Sequence, residues 1–226
     1  IRQEEPGYYT LSCFDIDNFK VINDQHGTEV GDEVLCHVAD CLAECAQSVG
    51  GIVCRLMADR FAALYPAAEA DSESAIKLRR DIVAPRCIDR EITIRIGRYL
   101  VDNPTLSVSS MYDRATLAQD SIKGRYDVYI AQYQESMRER LLDEQQIVME
   151  MRGALKSGQF EPWFQPQYNH ATGALIGSEA LVRWRRSDGT LVSPAKFIPV
   201  FERNGFIYEL DKYMWEQVCM YLRRWL

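Results

Sequence analysis

Two pairs of strand-like segments in this chain are joined by connections too short for anything but a hairpin. Ile52–Leu56 and Phe61–Tyr65 are apolar runs separated only by Met57-Ala58-Asp59-Arg60. Phe160–Tyr168 and Ala174–Trp184 are joined by Asn169-His170-Ala171-Thr172-Gly173. Parallel neighbours need a crossover of about a dozen residues or more, so both pairs are antiparallel. Between the hairpins runs Glu135–Ser157, a charged stretch with Leu141, Leu142, Ile147, Val148, Met151 and Leu155 at helical spacing. No Pro/Gly-rich linker precedes it. The pattern predicts two modules, residues 1–134 and 159–226, with a connecting helix over 135–158.

The rest of each module alternates strands with helices. Tyr8–Ile16 reads as a strand, Phe19, Val21 and Ile22 as a short helix, and Glu29–Gln47 as a long one. Its apolar stripe is Val30, Val34, Leu35, Val38, Leu42 and Ala46, and Gly50-Gly51 ends it. Ser72–Val83 and Met111–Lys123 are further helices, the second broken by Gly124. Glu91–Leu100 alternates as a strand, and Tyr126–Tyr133 is the last strand of the first module. In the second module Pro194–Arg203 and Glu209–Leu226 read as helices with the stop signal Asn204-Gly205 between them. The fold class is α/β.

Composition narrows the function. With 226 residues the chain has room for one or two domains, and its net charge of −7 argues against DNA or RNA as a partner. No apolar run approaches the roughly 18 residues of a membrane span, and no signal-peptide pattern is present. A cytoplasmic location is expected. Both ends read as cuts through a longer protein, which leaves room for a membrane anchor or sensor upstream. Seven cysteines without a Cys-x-x-Cys pair, and only three histidines, speak against zinc; reduced core thiols are the expectation.

Asp15-Ile16-Asp17 sets two carboxylates at alternate positions of a strand end, a pattern able to hold a divalent ion for phosphoryl chemistry. Acids at strand ends are more often simply solvated. The wider run, Asp15-Ile16-Asp17-Asn18-Phe19-Lys20-Val21-Ile22-Asn23-Asp24 with Gly27 and Gly31-Asp32, resembles the GGDEF domain of diguanylate cyclases from about Tyr8 to Tyr133. The resemblance implies an α+β cyclase-like domain on a mostly antiparallel central sheet. It implies metal binding at Asp15 and the Ile16 carbonyl, guanine contacts at Asn23 and Asp32, and phosphate contacts at Lys20 and Lys123, with Arg125 weaker. Each has a plainer alternative: Asn23 as a cap, Asp32 as a helix first-turn acid, the lysines as surface charge. For Lys123 the plainer one is preferred.

The family's signature hairpin falls on Met57-Ala58-Asp59-Arg60-Phe61. Side chains replace two glycines where backbone should approach phosphate. Arg60 stands where an acid would hold metal, and a guanidinium cannot ligate Mg²⁺. Cyclase activity is therefore not expected. The family's Arg-x-x-Asp product site is also missing, its positions taken by Ser48 and Gly51. Two outcomes remain open: GTP still binds, with Arg60 substituting for the metal, or the module only packs or dimerises.

From Phe160 onward, Phe164-Gln165-Pro166, Gly177-Ser178-Glu179-Ala180-Leu181-Val182-Arg183-Trp184, Pro194, Phe197-Ile198-Pro199 and Glu202 resemble the opening of EAL domains, which hydrolyse cyclic di-GMP with divalent metal. The resemblance implies the beginning of a modified TIM barrel, Mg²⁺ or Mn²⁺ held by Glu179, and phosphate contact by Arg183. Gln165 would line the same pocket and Pro199 its wall. An ordinary Glu179–Arg183 ion pair is the plainer alternative. Such a barrel needs roughly 250 residues, so this stretch alone is not expected to be catalytic, and its apolar surface would be covered by the first module or by a second copy of the chain. The function implied is a non-catalytic GGDEF domain regulating an EAL phosphodiesterase, with guanine nucleotides (GTP, cyclic di-GMP) as partners. A catalytically dead receptor for cyclic di-GMP or GTP, and a pure dimerisation or interaction module, are the alternatives.

Overall fold

A computed structural model of the chain describes residues 5–125 and 127–225. They divide into two compact units, with the boundary after Arg138. Tyr126 and Leu226, given above as the ends of a strand and a helix, lie outside the described residues.

The first unit is built on β1 (Tyr9–Ile16), the middle strand of a five-stranded sheet ordered β2-β3-β1-β4-β5. β2 (Ile52–Met57) and β3 (Arg60–Pro66) form the expected hairpin, and β3 and β4 (Ile94–Leu100) both pair antiparallel with β1. Only the three-residue β5 (Ile130–Gln132) runs parallel to its neighbour. Alternation along β1 divides the core. Phe14 and Ile16 join Ile22 of α1 (Phe19–His26) and the Val34, Leu35, Val38 and Leu42 stripe of α2 (Thr28–Ser48). Leu11 and Cys13 join Met111 and Ala115 of α4 (Val108–Asp120) in a separate cluster. The third helix, α3 (Glu73–Asp81), is capped by the Ser72 hydroxyl, which accepts from Ala75 N. Gly97 lets α4 lie directly on the sheet, because a Cβ there would sit 2.0 Å from the Ala115 carbonyl oxygen.

Three expectations are corrected here. β4 starts at Ile94 rather than Glu91, because the Ile92 amide turns aside to the Val83 carbonyl. β5 is three residues long, not eight. Of the seven free cysteines only Cys13 is buried, while Cys36, Cys54 and Cys219 are exposed. β2 is an edge strand of largely apolar sequence, so its pattern could not show that Ile52, Cys54 and Leu56 are left exposed.

The second unit packs helices on a three-stranded sheet of order β6-β7-β8, formed by Phe160–Tyr168, Leu175–Arg185 and Leu191–Val192. Its core is aromatic: Phe160 and Trp184 from the hairpin meet Phe197 and Phe201 of α6 (Pro194–Asn204) and Phe206, with ring centroids 4.9–6.1 Å apart. Full burial of each such ring contributes about 2–3 kcal/mol. Gly205, at φ 78°, ends α6 and frees the chain to start α7 (Ile207–Trp225). The long helix α5 (Glu135–Lys156) is not a bare connector, since Ile147, Met151 and Ala154 are buried in this same core. Lys196–Asp143, Arg203–Glu144 and Arg186–Glu150 ion pairs flank this packed face and tie α5 to α6 and to the chain after β7.

Candidate functional site

At the end of β1 the two carboxylates part company. Asp15 is half-buried and lies between Arg60 on β3 and Arg95 on β4, its register partners on the two sides. Its carboxylate faces the Arg60 Nε at 3.9 Å. Burial, with Asp59 beside it, holds the Asp15 carboxyl above its ordinary range, while Arg60 and Lys123 pull it down. Ile16 is buried, its side chain anchoring the strand end in the core. Asp17 is held differently. Arg95, buried, donates Nε and Nη2 to the two Asp17 oxygens at 2.7–2.8 Å, and Nη1 to the Arg125 and Ile122 carbonyls. Asp17 is thus a structural counter-ion, and Arg95, missed in the sequence, is what commits it. Residues 17 and 95 are linked only through strand register, which no local pattern reveals.

The hairpin keeps its special turn without glycine. Ala58 has φ 47°, a left-handed conformation that costs an L-residue roughly 1–2 kcal/mol, and Arg55 Nε donates to its carbonyl at 2.8 Å. The register shifts between Arg55 and Met57, the mark of a bulge. Met57 is 67% exposed at the tip, and Phe61 is buried in the core. Asp59 is near enough to raise Asp15. Arg60 is half exposed, and among the described residues no hydrogen bond engages its guanidinium.

α1 and α2 supply the remaining candidates. The Asn23 Oδ1 is buried with no hydrogen-bond partner among the described residues. It fits against Gly31, where a Cβ would come within 1.8 Å of it. Asp32 follows Gly31 directly and is exposed, as is Lys20 at the start of α1. Lys123, just past α4, lowers the same Asp15 carboxyl through its charge, and only Arg60 pairs with it directly. Arg125 does not join them through its side chain, which pairs with Asp127 at 3.1 Å. Ser48 is occupied in bonding the Cys45 carbonyl at the end of α2.

In the second unit, Gln165 and Glu179 are direct register partners on β6 and β7, so they lie side by side. Period-two alternation puts Glu179, Leu181 and Arg183 on one face with Glu161, Trp163 and Gln165. The other face carries Phe160 and Trp184 into the core. Glu179 and Gln165 are exposed, and among the described residues no ion pair involves Glu179. The plainer Glu179–Arg183 pairing is therefore not what forms. Arg183 lies over the Trp163 ring, 5.6 Å from its centroid, and Nη1 donates to the Val182 carbonyl. Trp163 was not singled out in the sequence, although its place two residues before Gln165 puts it on the same face. Pro199 is exposed on α6. Among the described residues no group of three or more His, Cys, Asp or Glu side chains is placed to hold a metal ion, and no helix is long and apolar enough to cross a membrane.

Comparison with known proteins places these features. Residues 2–125 match the family described as "Diguanylate cyclase, GGDEF domain", and residues 148–226 match "EAL domain". The chain is 30% identical to the bifunctional diguanylate cyclase/cyclic di-GMP phosphodiesterase MucR of Pseudomonas aeruginosa, over 96% of this chain and 32% of that protein. It is also 30% identical to the cyclic di-GMP phosphodiesterase NbdA of the same organism, over 92% of this chain and 27% of that one. It thus spans a third or less of the length of these relatives. The fold of the active GGEEF domain of a Vibrio cholerae diguanylate cyclase superposes with a TM-score of 0.50 and 24% identity, over 59% of this chain and 86% of that domain. The chain belongs to the bacterial GGDEF–EAL family of cyclic di-GMP signalling proteins.

Proposed function

We propose that this chain is the part of a cyclic di-GMP signalling protein in which a non-catalytic GGDEF domain regulates an EAL phosphodiesterase. The observation that carries the reading is Arg60, which faces Asp15 where the resemblance calls for an acid. Nucleotidyl transfer in this family relies on divalent metal to offset developing phosphate charge. The residues here do not fit that ion: Asp15 has an arginine on each side, and Asp17 is held by Arg95.

The residues to which the resemblance assigns guanine contact are better kept. The Asn23 Oδ1, buried and unpartnered against Gly31, reaches a ligand donor when the amide turns outward, and the exposed Asp32 beside Gly31 is a second acceptor. A guanine edge offers donors to both. Lys20 and Lys123 are then phosphate contacts. The domain accordingly binds GTP without converting it.

In the EAL part, Glu179 is the residue that would hold a divalent ion, Mg²⁺ or Mn²⁺, with the Gln165 amide beside it and Arg183 for phosphate. An exposed carboxylate with no ion pair among the described residues is free to do so. When bound, the metal would activate water for phosphodiester hydrolysis. Phosphodiesterase activity belongs in this reading to the longer protein, located in the cytoplasm. The test is product analysis: this chain, given GTP with Mg²⁺ or Mn²⁺, yields no cyclic di-GMP. Product formation would overturn the reading of Arg60.

A further inference from the structure

We infer that the first-domain site takes its guanine nucleotide as the metal-free polyphosphate anion, with the Arg60 guanidinium supplying the positive charge. This rests on the reading of that pocket as a nucleotide site and concerns what the site does once metal no longer fits it.

The geometry at Asp15 makes the substitution specific. Arg60 stands directly across from Asp15, and at 3.9 Å it neutralises the carboxylate without closing a tight hydrogen bond on it. Its side chain is half exposed, so the guanidinium donors face open solvent and can reach an incoming anion. A planar fork of N–H donors suits phosphate oxygens better than any other side chain. Lys123 adds a second cation within electrostatic reach of the same carboxylate. The charge is already in place on the protein, so none has to be recruited.

The oxygen ligands that a divalent ion demands are spoken for. Mg²⁺ requires near-octahedral oxygen coordination, supplied in phosphate sites by one or two carboxylates together with the phosphates. Asp17 gives both its oxygens to Arg95, a buried side chain that also holds the Arg125 and Ile122 carbonyls. Asp15 is left alone between two arginines. A metal ion entering there would have to displace Arg60 and approach its positive charge. A bare triphosphate meets no such obstacle and carries more negative charge than its magnesium complex, so a fixed guanidinium favours the bare form. The left-handed turn at Ala58 preserves the backbone path of the hairpin, so Arg60 is held at the site rather than displaced from it.

The test is calorimetric titration of the chain with GTP, once in EDTA and once in MgCl₂, for the unaltered protein, Arg60→Ala and Arg60→Glu. Thermal melts check that each is folded. The unaltered chain should bind GTP in EDTA at least as tightly as in MgCl₂. Arg60→Ala should weaken binding in EDTA by about tenfold or more, the worth of a charged hydrogen bond. Arg60→Glu, which restores an acid opposite Asp15, should bind only when Mg²⁺ is present. If the unaltered chain binds only with Mg²⁺, or if Arg60→Ala binds undiminished in EDTA, the inference is overturned and the nucleotide site stands. If a folded chain gives no binding in either buffer, the reading of the pocket as a nucleotide site fails as well.

Discussion

Replacing Asp17 should unfold this protein far more readily than replacing Asp15, although the two sit two residues apart at the end of β1. Asp17→Ala removes both carboxylate partners of Arg95, whose side chain is 6% exposed. Breaking a buried pair in this way costs about 3–5 kcal/mol, because the remaining charge is left uncompensated. Two features place the value at the lower end, about 3 kcal/mol: Asp17 is itself 16% exposed, and Arg95 keeps the Ile122 and Arg125 carbonyls as acceptors. Asp15→Asn should cause no such loss, because the half-exposed pairing with Arg60 that it gives up is worth about 1 kcal/mol or less and the burial penalty on the carboxylate is removed with it. Guanidinium denaturation followed by far-ultraviolet circular dichroism measures both. At a slope of about 4 kcal/mol/M, Asp17→Ala lowers the midpoint by about 0.7 M. All four tryptophans, Trp163, Trp184, Trp215 and Trp225, lie in the second unit, so their fluorescence gives an independent trace of that unit. Equal midpoints for Asp17→Ala and the unaltered chain would refute the assignment of Asp17 as a structural counter-ion.

The same carboxylates give a pH prediction. The Asp15 carboxyl is raised from its ordinary 3.8 chiefly by burial, so its protonated form favours folding below that value and the benefit is lost as pH rises through the folded value. Asp15→Asn should therefore gain stability over the unaltered chain at pH 7, and the gain should vanish by pH 3 in parallel denaturation curves. Gly31→Ala drives a methyl into the Asn23 amide; GTP titration should show binding lost. Its melting temperature should change little, because helix propensity improves by about 1 kcal/mol while the side chain is displaced. Gly97→Ala meets the Ala115 carbonyl and the Gln119 backbone, which cannot swing aside, and should lower stability by about 3 kcal/mol in the same denaturation assay.

Much of this architecture could be read directly from the chain. The hairpins were legible because their connections leave no alternative; the register that sets Gln165 opposite Glu179 and Arg60 opposite Asp15 comes from the structure. The stripe on α2 was legible because it repeats at helical spacing from Val30 to Ala46. What could not be read depends on register between distant segments. Arg95 reaches Asp17 across 78 positions, so one carboxylate of an apparently symmetric pair is withdrawn from the site. The short β5 and β8 carry too few residues for a period to declare itself. Cys54 and Ile52 look like core in a largely apolar run, and the position of β2 at the sheet edge leaves them exposed. Trp163 shows the reverse: alternation alone puts it beside Arg183 once Gln165 is assigned.

The central claim, that a GGDEF domain without cyclase chemistry controls the EAL phosphodiesterase, is tested most directly in the longer protein that contains both domains. The measurement is the rate of cyclic di-GMP hydrolysis with and without GTP, in the unaltered protein and in Asp32→Ala. The account predicts a rate that changes with GTP in the first and is indifferent to it in the second. A hydrolysis rate that ignores GTP in the unaltered protein, or responds equally in both, would contradict it.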